Sequence, residues 1–286
     1  MKLATFAIHG KQHVGALTKQ GLVTFAGRAN DVADVIRLNA GSIRLNDMLA
    51  SALPAVDPAS VTFLPPLLTP PKIICVGLNY ADHTKESPYE QPNYPTLFLR
   101  VATSLIGHGA VLERPLCSDS LDFEGELAVV LGSGGRHIPK GRALDCVFGY
   151  SVFNDGSVRE YQFKSPQWTV GKNFDRTGAF GPYVVTADEL PAGAKGLLLQ
   201  TRLNGEVVQS ANSDDMIYDV ASLISIISEA ITLQAGDVIV AGTPSGIGWA
   251  REPKLLMRHG DVVEVSIEKV GVLTNPVRDE SATSKR

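Results

Sequence analysis

The apolar residues of this chain fall into many short runs separated by glycine and proline, and one segment has a clear helical period. The runs predict strands at 73–77, 96–99, 123–131, 147–154, 197–203, 238–241 and 262–267. Val220, Leu223, Ile224, Ile227 and Ile231 share one face at helical spacing, which predicts a helix over 220–231. Asn204-Gly205 predicts a two-residue hairpin turn. The pattern indicates a mainly β fold with some helix, the α+β class.

Paired prolines at 65–66 and 70–71 indicate a domain boundary. Short strands and two helices, near 32–38 and 43–51, precede it and predict a small N-terminal α/β domain over residues 1–70. We expect the main domain to span residues 71–280. The last residues, 281–286, are polar and predict a frayed tail.

Charge and composition exclude several classes of partner. The 286 residues have a net charge of −4 without a basic patch, so binding to nucleic acid or to an anionic membrane is not expected. No apolar stretch reaches 18 residues, and the N-terminus lacks a signal-peptide pattern. The three cysteines are scattered, which argues against a disulfide framework. We therefore expect a cytoplasmic protein.

Two acids, Glu124 and Glu126, lie inside the apolar run 121–131. Side chains two apart on a strand point to the same face, and two carboxylates in a dry place need compensation, most simply a hard divalent cation. Asp155, at the end of another apolar strand, is the best third ligand. The alternatives are an edge strand with both glutamates in water, and an aspartate that caps a turn. Three carboxylates would select Mg²⁺, Mn²⁺ or Ca²⁺ over zinc.

Further candidate chemistry follows the first strand. His83 and Glu86 are three residues apart and share a face of a short helix, so the carboxylate can orient the imidazole as a general base for water. A proline-rich loop follows, and the two together could act as a lid. The alternative is a solvated surface turn.

Two other segments offer a cation and a hydroxyl. Lys172 follows an apolar stretch and a glycine, where it could stabilise an enolate or a carboxylate. Thr243 lies in the glycine-rich loop 242–248, which allows close approach of the backbone to a ligand. The alternatives are a surface lysine whose ammonium reaches water, and an ordinary connection between strands.

Taken together, five motifs resemble the fumarylacetoacetate hydrolase family. They occur in this order: Gly-Leu-Asn-Tyr-Ala-Asp-His at 77–83, Glu-Gly-Glu at 124–126, Asn-Asp-Gly-Ser-Val-Arg at 154–159, Gly-Lys-Asn-Phe-Asp at 171–175 and Gly-Thr-Pro-Ser-Gly-Ile-Gly at 242–248. The resemblance covers about residues 72–277 and is nearest to acylpyruvase and 2-hydroxyhepta-2,4-diene-1,7-dioate isomerase-like members. It implies a mixed β-roll with a smaller N-terminal domain, a homodimer and a Mg²⁺ or Mn²⁺ cofactor.

The resemblance also implies roles for individual residues. Those that match the metal ligands are Glu124, Glu126 and Asp155. His83 and Glu86 match the water-activating pair on the lid, and Lys172 matches the active-site lysine. The positions that match substrate contacts are Arg159, Gln162 and Thr243. Arg100 stands where many relatives carry lysine, and its planar guanidinium predicts a different contact at the far end of the substrate.

The implied function is hydrolysis of a carbon–carbon bond in a 1,3-diketone acid, such as an acylpyruvate or a fumarylpyruvate, in aromatic or sugar-acid catabolism. The substrate is therefore a small 2-oxo acid. The same site could instead decarboxylate an oxaloacetate-like acid, or isomerise or hydrate a 2-oxo-enoic diacid. A binding protein without catalytic activity is the alternative from a different class, and the complete set of candidate residues argues against it.

Overall fold

Three β-sheets and a smaller number of helices form the part of the chain that the computed structural model describes, residues 1–25, 27, 29–41 and 43–281. The strands of the main sheet are β1 (Lys2–Ile8), β2 (Lys11–Thr18), β3 (Gly21–Thr24), β4 (Thr62–Phe63), β5 (Ile73–Gly77), β6 (Thr96–Arg100), β7 (Leu105–Ile106), β10 (Gly125–Leu131), β11 (Val147–Asp155), β13 (Gly178–Thr186) and β16 (Val238–Val240). The other strands are β8 (Leu112–Arg114), β9 (Leu121–Asp122), β12 (Ser157–Val158), β14 (Leu198–Leu203), β15 (Glu206–Asn212), β17 (Val262–Ile267) and β18 (Gly271–Asp279).

The helices are short. The α-helices are α1 (Val32–Ala40), α2 (Leu45–Ala50), α3 (Ala81–Glu86), α4 (Lys140–Ala143), α5 (Arg159–Gln162), α6 (Thr169–Lys172) and α7 (Val220–Ala230). Single 3₁₀ turns span Pro58–Ser60, Ala102–Ser104, Leu144–Cys146, Ala187–Glu189, Ala192–Ala194 and Ser213–Asp215. None of the described helices has the length and apolarity needed to span a lipid bilayer.

The main sheet places its longest strands at its centre. Its order is β3-β2-β1-β13-β11-β10-β16-β5-β6, with β4 beside β1 and β7 beside β13. A second sheet has the order β15-β14-β17-β18-β8, and β9 pairs with β12 alone. The predicted boundary near residue 70 stays a prediction. The strands before it extend the main sheet, because β1 pairs with β13.

Strand β10 is buried on both of its faces, which explains its unbroken run of apolar residues. Leu127, Val129 and Leu131 join a core that also contains side chains of α7 and of the second sheet. Ala128 and Val130 face the other way, into a core shared with α1. The central strands are therefore held rigidly between two layers, and residues at their ends are well positioned.

Local patterns predicted several elements correctly. The predicted helix 220–231 is α7, whose first turn is capped by the Asp219 carboxylate accepting from the Ser222 amide. The predicted strand 262–267 is β17. Asn204 and Gly205 both have positive φ, 53° and 86°, as a type I′ turn requires. The predicted tail, apart from Ser281, lies outside the described residues.

The prediction of one continuous strand over 123–131 was wrong at its start. β9 ends at Asp122 and β10 begins at Gly125, so Phe123 and Glu124 form a break between them. Their amides donate to side chains, that of Phe123 to Asp122 and that of Glu124 to Asn154, instead of to a neighbouring strand. The break allows the chain to leave one sheet and enter another while Glu124 stays beside Glu126.

Candidate metal centre and active site

Three buried carboxylates meet where two central strands end. Glu124 precedes β10, Glu126 is its second residue, and Asp155 is the last residue of β11. The two strands pair so that Gly125 lies opposite Asn154, and the Asp155 amide donates to the Glu124 carbonyl at 2.8 Å. One carboxylate oxygen from each of the three acids lies within 4.8 Å of the others. The sequence prediction had brought together the same three residues.

The glycine between the two glutamates lies where a side chain does not fit. A Cβ atom on Gly125 would come within 2.2 Å of the Thr201 hydroxyl oxygen and 3.0 Å of a Val265 methyl group. The Gly125 amide donates to the Gln209 side chain at 3.0 Å. The Glu-Gly-Glu motif therefore combines two candidate metal ligands with a close approach of the second sheet.

Lys172 and Arg159 supply positive charge to the cluster. The Lys172 ammonium donates to Glu124 at 2.6 Å and to Asp155 at 2.7 Å, and the Arg159 guanidinium forms an ion pair with the other Glu124 oxygen at 2.6 Å. Burial raises the pKa of Glu124, but the charges of Lys172 and Arg159 outweigh it and lower the pKa to about 2. Burial alone would lower the pKa of Lys172, but the charges of Asp155 and Glu124 raise it. Glu124 is therefore an ionised candidate ligand beside a charged lysine.

Glu126 has the opposite electrostatic environment. Burial, followed by the negative charges of Asp155 and Glu124, raises its pKa well above the ordinary value for glutamate. Its one hydrogen bond within the described residues comes from the Gly242 amide at 2.6 Å. A divalent cation at this position would bind the deprotonated carboxylate, and its charge would offset the repulsion between the acids. Three oxygen donors without histidine or thiolate fit Mg²⁺ or Mn²⁺.

A cavity opens onto this cluster. Most of the sequence-predicted site residues line it: His83, Glu86, Glu124, Glu126, Arg159, Gln162, Lys172 and Thr243. Asp155 lies below the floor of the cavity with no exposed side-chain surface. The prediction thus selected residues from five separate segments of the chain that the fold brings to one place.

Arg100 lies outside the cavity lining, although the sequence interpretation placed it at the far end of the substrate. Its buried guanidinium donates to Asp155 at 2.5 Å, to the Gly156 carbonyl at 3.1 Å and to the Thr177 hydroxyl at 3.0 Å. The side chain approaches Gly178 so closely that a Cβ there would meet it at 2.6 Å. We propose that Arg100 orients Asp155 and does not contact the substrate.

Arg100→Met should destabilise the protein by about 3–5 kcal/mol, because it removes one partner of a buried ion pair. It should also weaken Mn²⁺ binding, since Asp155 loses the donor that orients it. Urea unfolding and calorimetric titration with Mn²⁺ measure the two effects. Arg100→Lys keeps the charge and should restore part of the metal affinity. Mn²⁺ affinity in Arg100→Met equal to that of the unmodified protein would contradict the orienting role.

His83 and Glu86 form the expected pair on α3. The His83 Nδ1 donates to Glu86 at 2.9 Å. Glu86 also accepts from the Gly246 amide at 2.9 Å, which anchors the carboxylate to the loop 242–248. With Nδ1 engaged, Nε2 is the ring nitrogen left to exchange a proton in the cavity.

Two buried polar residues that sequence reasoning missed form hydrogen bonds to residues of the site. Gln209, buried on β15, donates to the Thr243 hydroxyl at 2.9 Å and accepts from the Gly125 amide. Thr243 in turn donates to the Gly125 carbonyl at 3.1 Å. No local pattern marks Gln209, since it lies in an otherwise ordinary strand.

Asp122 is the second missed residue, and here a signal was present. It is buried and accepts from the Arg159 Nε and from the amides of Gly248 and Trp249, each at 2.9 Å. Burial raises its pKa, and the Arg159 charge offsets this only in part. Asp122 lies two residues before Glu124, as Glu124 does before Glu126. The argument that alternate residues of a strand share a face, which selected the two glutamates, therefore also selects Asp122.

The fold and the three-carboxylate cavity define a candidate metal-dependent enzyme, and comparison with known proteins identifies its family. The family model described as "Fumarylacetoacetate (FAA) hydrolase C-terminal" matches residues 72–278. The chain therefore belongs to the fumarylacetoacetate hydrolase family, and its α+β fold is that of the family.

Curated relatives match most of the chain. The chain is 45% identical to an uncharacterized protein of Archaeoglobus fulgidus over 216 residues, 76% of this chain and 82% of that protein. It is 40% identical to the mitochondrial oxaloacetate tautomerase Fahd2a of Rattus norvegicus over 230 residues, 80% of this chain and 73% of that protein.

Solved structures match nearly the whole chain. The fumarylacetoacetate hydrolase of Exiguobacterium antarcticum superposes with a TM-score of 0.86 and 35% identity, over 98% of this chain and all of that one. A maleylpyruvate hydrolase of Sphingobium sp. SYK-6, in complex with manganese(II) and pyruvate, gives a TM-score of 0.81 and 25% identity over the same shares.

Proposed function

We propose that the protein is a divalent-metal-dependent hydrolase that cleaves the carbon–carbon bond of an acylpyruvate-type 1,3-diketone acid. One observation carries the proposal: the His83–Glu86 pair lines the same cavity as the buried carboxylates and Lys172. A water-activating base beside a charged lysine is the arrangement that hydrolysis of such a substrate requires. The manganese and pyruvate of the related maleylpyruvate hydrolase also support it.

Glu124, Glu126 and Asp155 would hold the ion, with their carboxylate oxygens already within 4.8 Å of one another. A bound Mg²⁺ or Mn²⁺ supplies Lewis-acid polarisation of the 2-oxo acid oxygens. Lys172 keeps its charge beside two of the ligands, so it can stabilise negative charge that develops on the substrate.

The proton transfers belong to His83. Glu86 holds Nδ1, so Nε2 takes a proton from water while the water oxygen forms a bond to the distal carbonyl carbon. The bond between that carbon and the central methylene carbon then breaks, and its electron pair leaves with pyruvate as the enolate. His83 returns its proton to the methylene carbon. The products are pyruvate and the carboxylic acid of the acyl group, so one water is consumed and the atoms balance.

A second candidate is keto–enol tautomerisation of oxaloacetate, favoured by the oxaloacetate tautomerases that are about 40% identical to this chain. In that reaction His83 would move a proton between the methylene carbon and solvent, and no carbon–carbon bond would break. Decarboxylation of oxaloacetate would need no activated water at all.

A panel of substrates with added metal separates these reactions. We expect protein supplemented with Mg²⁺ or Mn²⁺ to convert acetylpyruvate into one equivalent of pyruvate, and protein treated with EDTA to be inactive until metal is restored. The measurement couples pyruvate formation to its enzymatic reduction while the enol absorbance is followed. Loss of oxaloacetate enol absorbance without pyruvate, together with intact acylpyruvates, would reject the hydrolase and support the tautomerase.

Other parts of the interpretation stay predictions. The homodimer follows from the family resemblance, and light scattering of the purified protein tests it. The cytoplasmic location and a role in aromatic or sugar-acid catabolism likewise stay predictions.

A further inference from the structure

Beyond the carboxylates, the cavity is lined by two clusters of aromatic rings. Tyr89, Phe98 and Trp168 form one, with ring centroids 5.3 and 5.5 Å from that of Trp168. Phe163 and Trp249 form the other, 5.7 Å apart, and Phe163 is 39% exposed. The proposed proton transfers do not use these rings, which face the cavity beside the catalytic groups.

Trp168 is held in a fixed position. A Cβ on Gly77 would come within 2.3 Å of the indole ring, so the glycine provides the space that the ring fills. The indole nitrogen donates to the Tyr89 hydroxyl at 3.1 Å, and Phe98 packs against the ring edge-on. This side of the cavity is therefore rigid before a ligand binds, so its side chains lose little conformational entropy on binding.

The basic side chains that line the cavity already face carboxylates. Among the described lining residues these basic side chains are Arg159, Lys172 and His83. Arg159 forms ion pairs with Asp122 and Glu124, and His83 donates to Glu86. Lys172 lies between two of the candidate metal ligands. A carboxylate at the far end of a substrate would therefore lose its hydration beside aromatic rings without gaining an unpaired cation from the lining residues.

We propose that the two aromatic clusters form an apolar acyl-binding subsite that selects 2-oxo acids with an uncharged alkyl or aryl far end over diacids. The proposal deepens the proposed function, because it names the acyl group that hydrolysis would release. It also predicts a preference different from that suggested by relatives named for oxaloacetate or for 2-hydroxyhepta-2,4-diene-1,7-dioate.

Equilibrium binding tests the subsite without turnover. 2-Oxohexanoate and 2-oxoglutarate share the 2-oxo acid end and are similar in length, but only the second has a distal carboxylate. We expect the Mn²⁺-loaded protein to bind 2-oxohexanoate at least about tenfold more tightly in calorimetric titrations, since each buried methylene contributes about fourfold. Equal affinities, a preference for 2-oxoglutarate or no detectable binding of 2-oxohexanoate would reject the subsite.

Substitution of the aromatic residues tests whether their rings cause the preference for 2-oxohexanoate over 2-oxoglutarate. Phe163→Ala and Trp249→Ala should each reduce the affinity ratio by about fivefold or more, since each removes apolar contact area. Leu116→Ala is the matched control, because it removes an exposed apolar side chain outside the cavity and should keep the ratio. Unchanged ratios in both ring variants would overturn the assignment.

Lys254 provides the opposing test. Its exposed ammonium lies 3.9 Å from the centre of the Trp249 ring, so it is a nearby cation that a distal carboxylate could reach. We expect Lys254→Met to leave the ratio unchanged, and selective loss of 2-oxoglutarate binding would show that the far end recognises a carboxylate.

Turnover separates the two proposals. If no acylpyruvate is cleaved but 2-oxohexanoate still binds more tightly than 2-oxoglutarate, the proposed hydrolase activity is wrong and the proposed subsite is supported. If fumarylpyruvate is cleaved more efficiently than hexanoylpyruvate, the proposed hydrolase activity is supported and the proposed subsite is wrong.

Discussion

Glu126→Gln should give a folded protein that has lost nearly all metal-dependent activity. The amide oxygen of glutamine can still accept from the Gly242 amide, as the Glu126 carboxylate does, so the local backbone has no reason to move. The replacement removes the negative charge that a cation would neutralise. We expect Mn²⁺ affinity to fall by at least about a hundredfold and turnover by about a thousandfold. Calorimetry with Mn²⁺ and the pyruvate assay measure the two effects.

The control for Glu126→Gln is Glu268→Gln, which removes one negative charge from a half-exposed residue at the end of β17. It should bind Mn²⁺ and turn over substrate as the unmodified protein does. Circular dichroism of both variants confirms that the fold is intact. If Glu126→Gln binds Mn²⁺ with unchanged affinity, the three-carboxylate centre is not the metal site and the proposed function loses its basis.

His83→Ala should slow acylpyruvate cleavage by about a hundred- to ten-thousandfold, the usual contribution of a general base. Glu86→Gln should cause a smaller loss in the same direction, because the imidazole stays in place but loses its charged partner. Decarboxylation of oxaloacetate, which needs no activated water, should be spared in both variants. Stopped assays of pyruvate from each substrate give the comparison.

A histidine elsewhere on the surface controls for the substitution itself. His137 is exposed and has a positive φ of 54°, a conformation that asparagine also tolerates, so His137→Asn should keep full activity. Acylpyruvate cleavage that survives in His83→Ala would exclude His83 as the base, whatever the metal dependence.

Local sequence patterns were sufficient to predict several secondary-structure elements of the fold. The apolar stripe of α7 and the Asn204-Gly205 turn depend on neighbours within a few residues, so they can be predicted without the fold. The types of residue in the site could also be predicted from the sequence. Closely spaced acids in an apolar run, and a histidine three residues before a glutamate, each have few chemical uses. The family motifs then joined these separate signals into one hypothesis.

Long-range pairing decided the rest. The sequence around Arg100 does not indicate whether its side chain contacts a substrate or Asp155. Only the position of β6 relative to the end of β11 brings its guanidinium to Asp155. Gln209 reaches Gly125 across 84 positions of the chain, and nothing near it in sequence indicates that partner. The break at Phe123 and Glu124 likewise depends on which strands β9 and β10 pair with.

The sequence by itself therefore determined which chemical groups this protein has and which short segments carry them, since those properties depend on the residue types and on contacts within a few positions. The tertiary structure alone decided which acids are buried together, which cations are already engaged and which apolar rings are left to face a ligand. Burial and ion pairing depend on distances between segments far apart in the chain, and strand register, not local sequence, sets those distances.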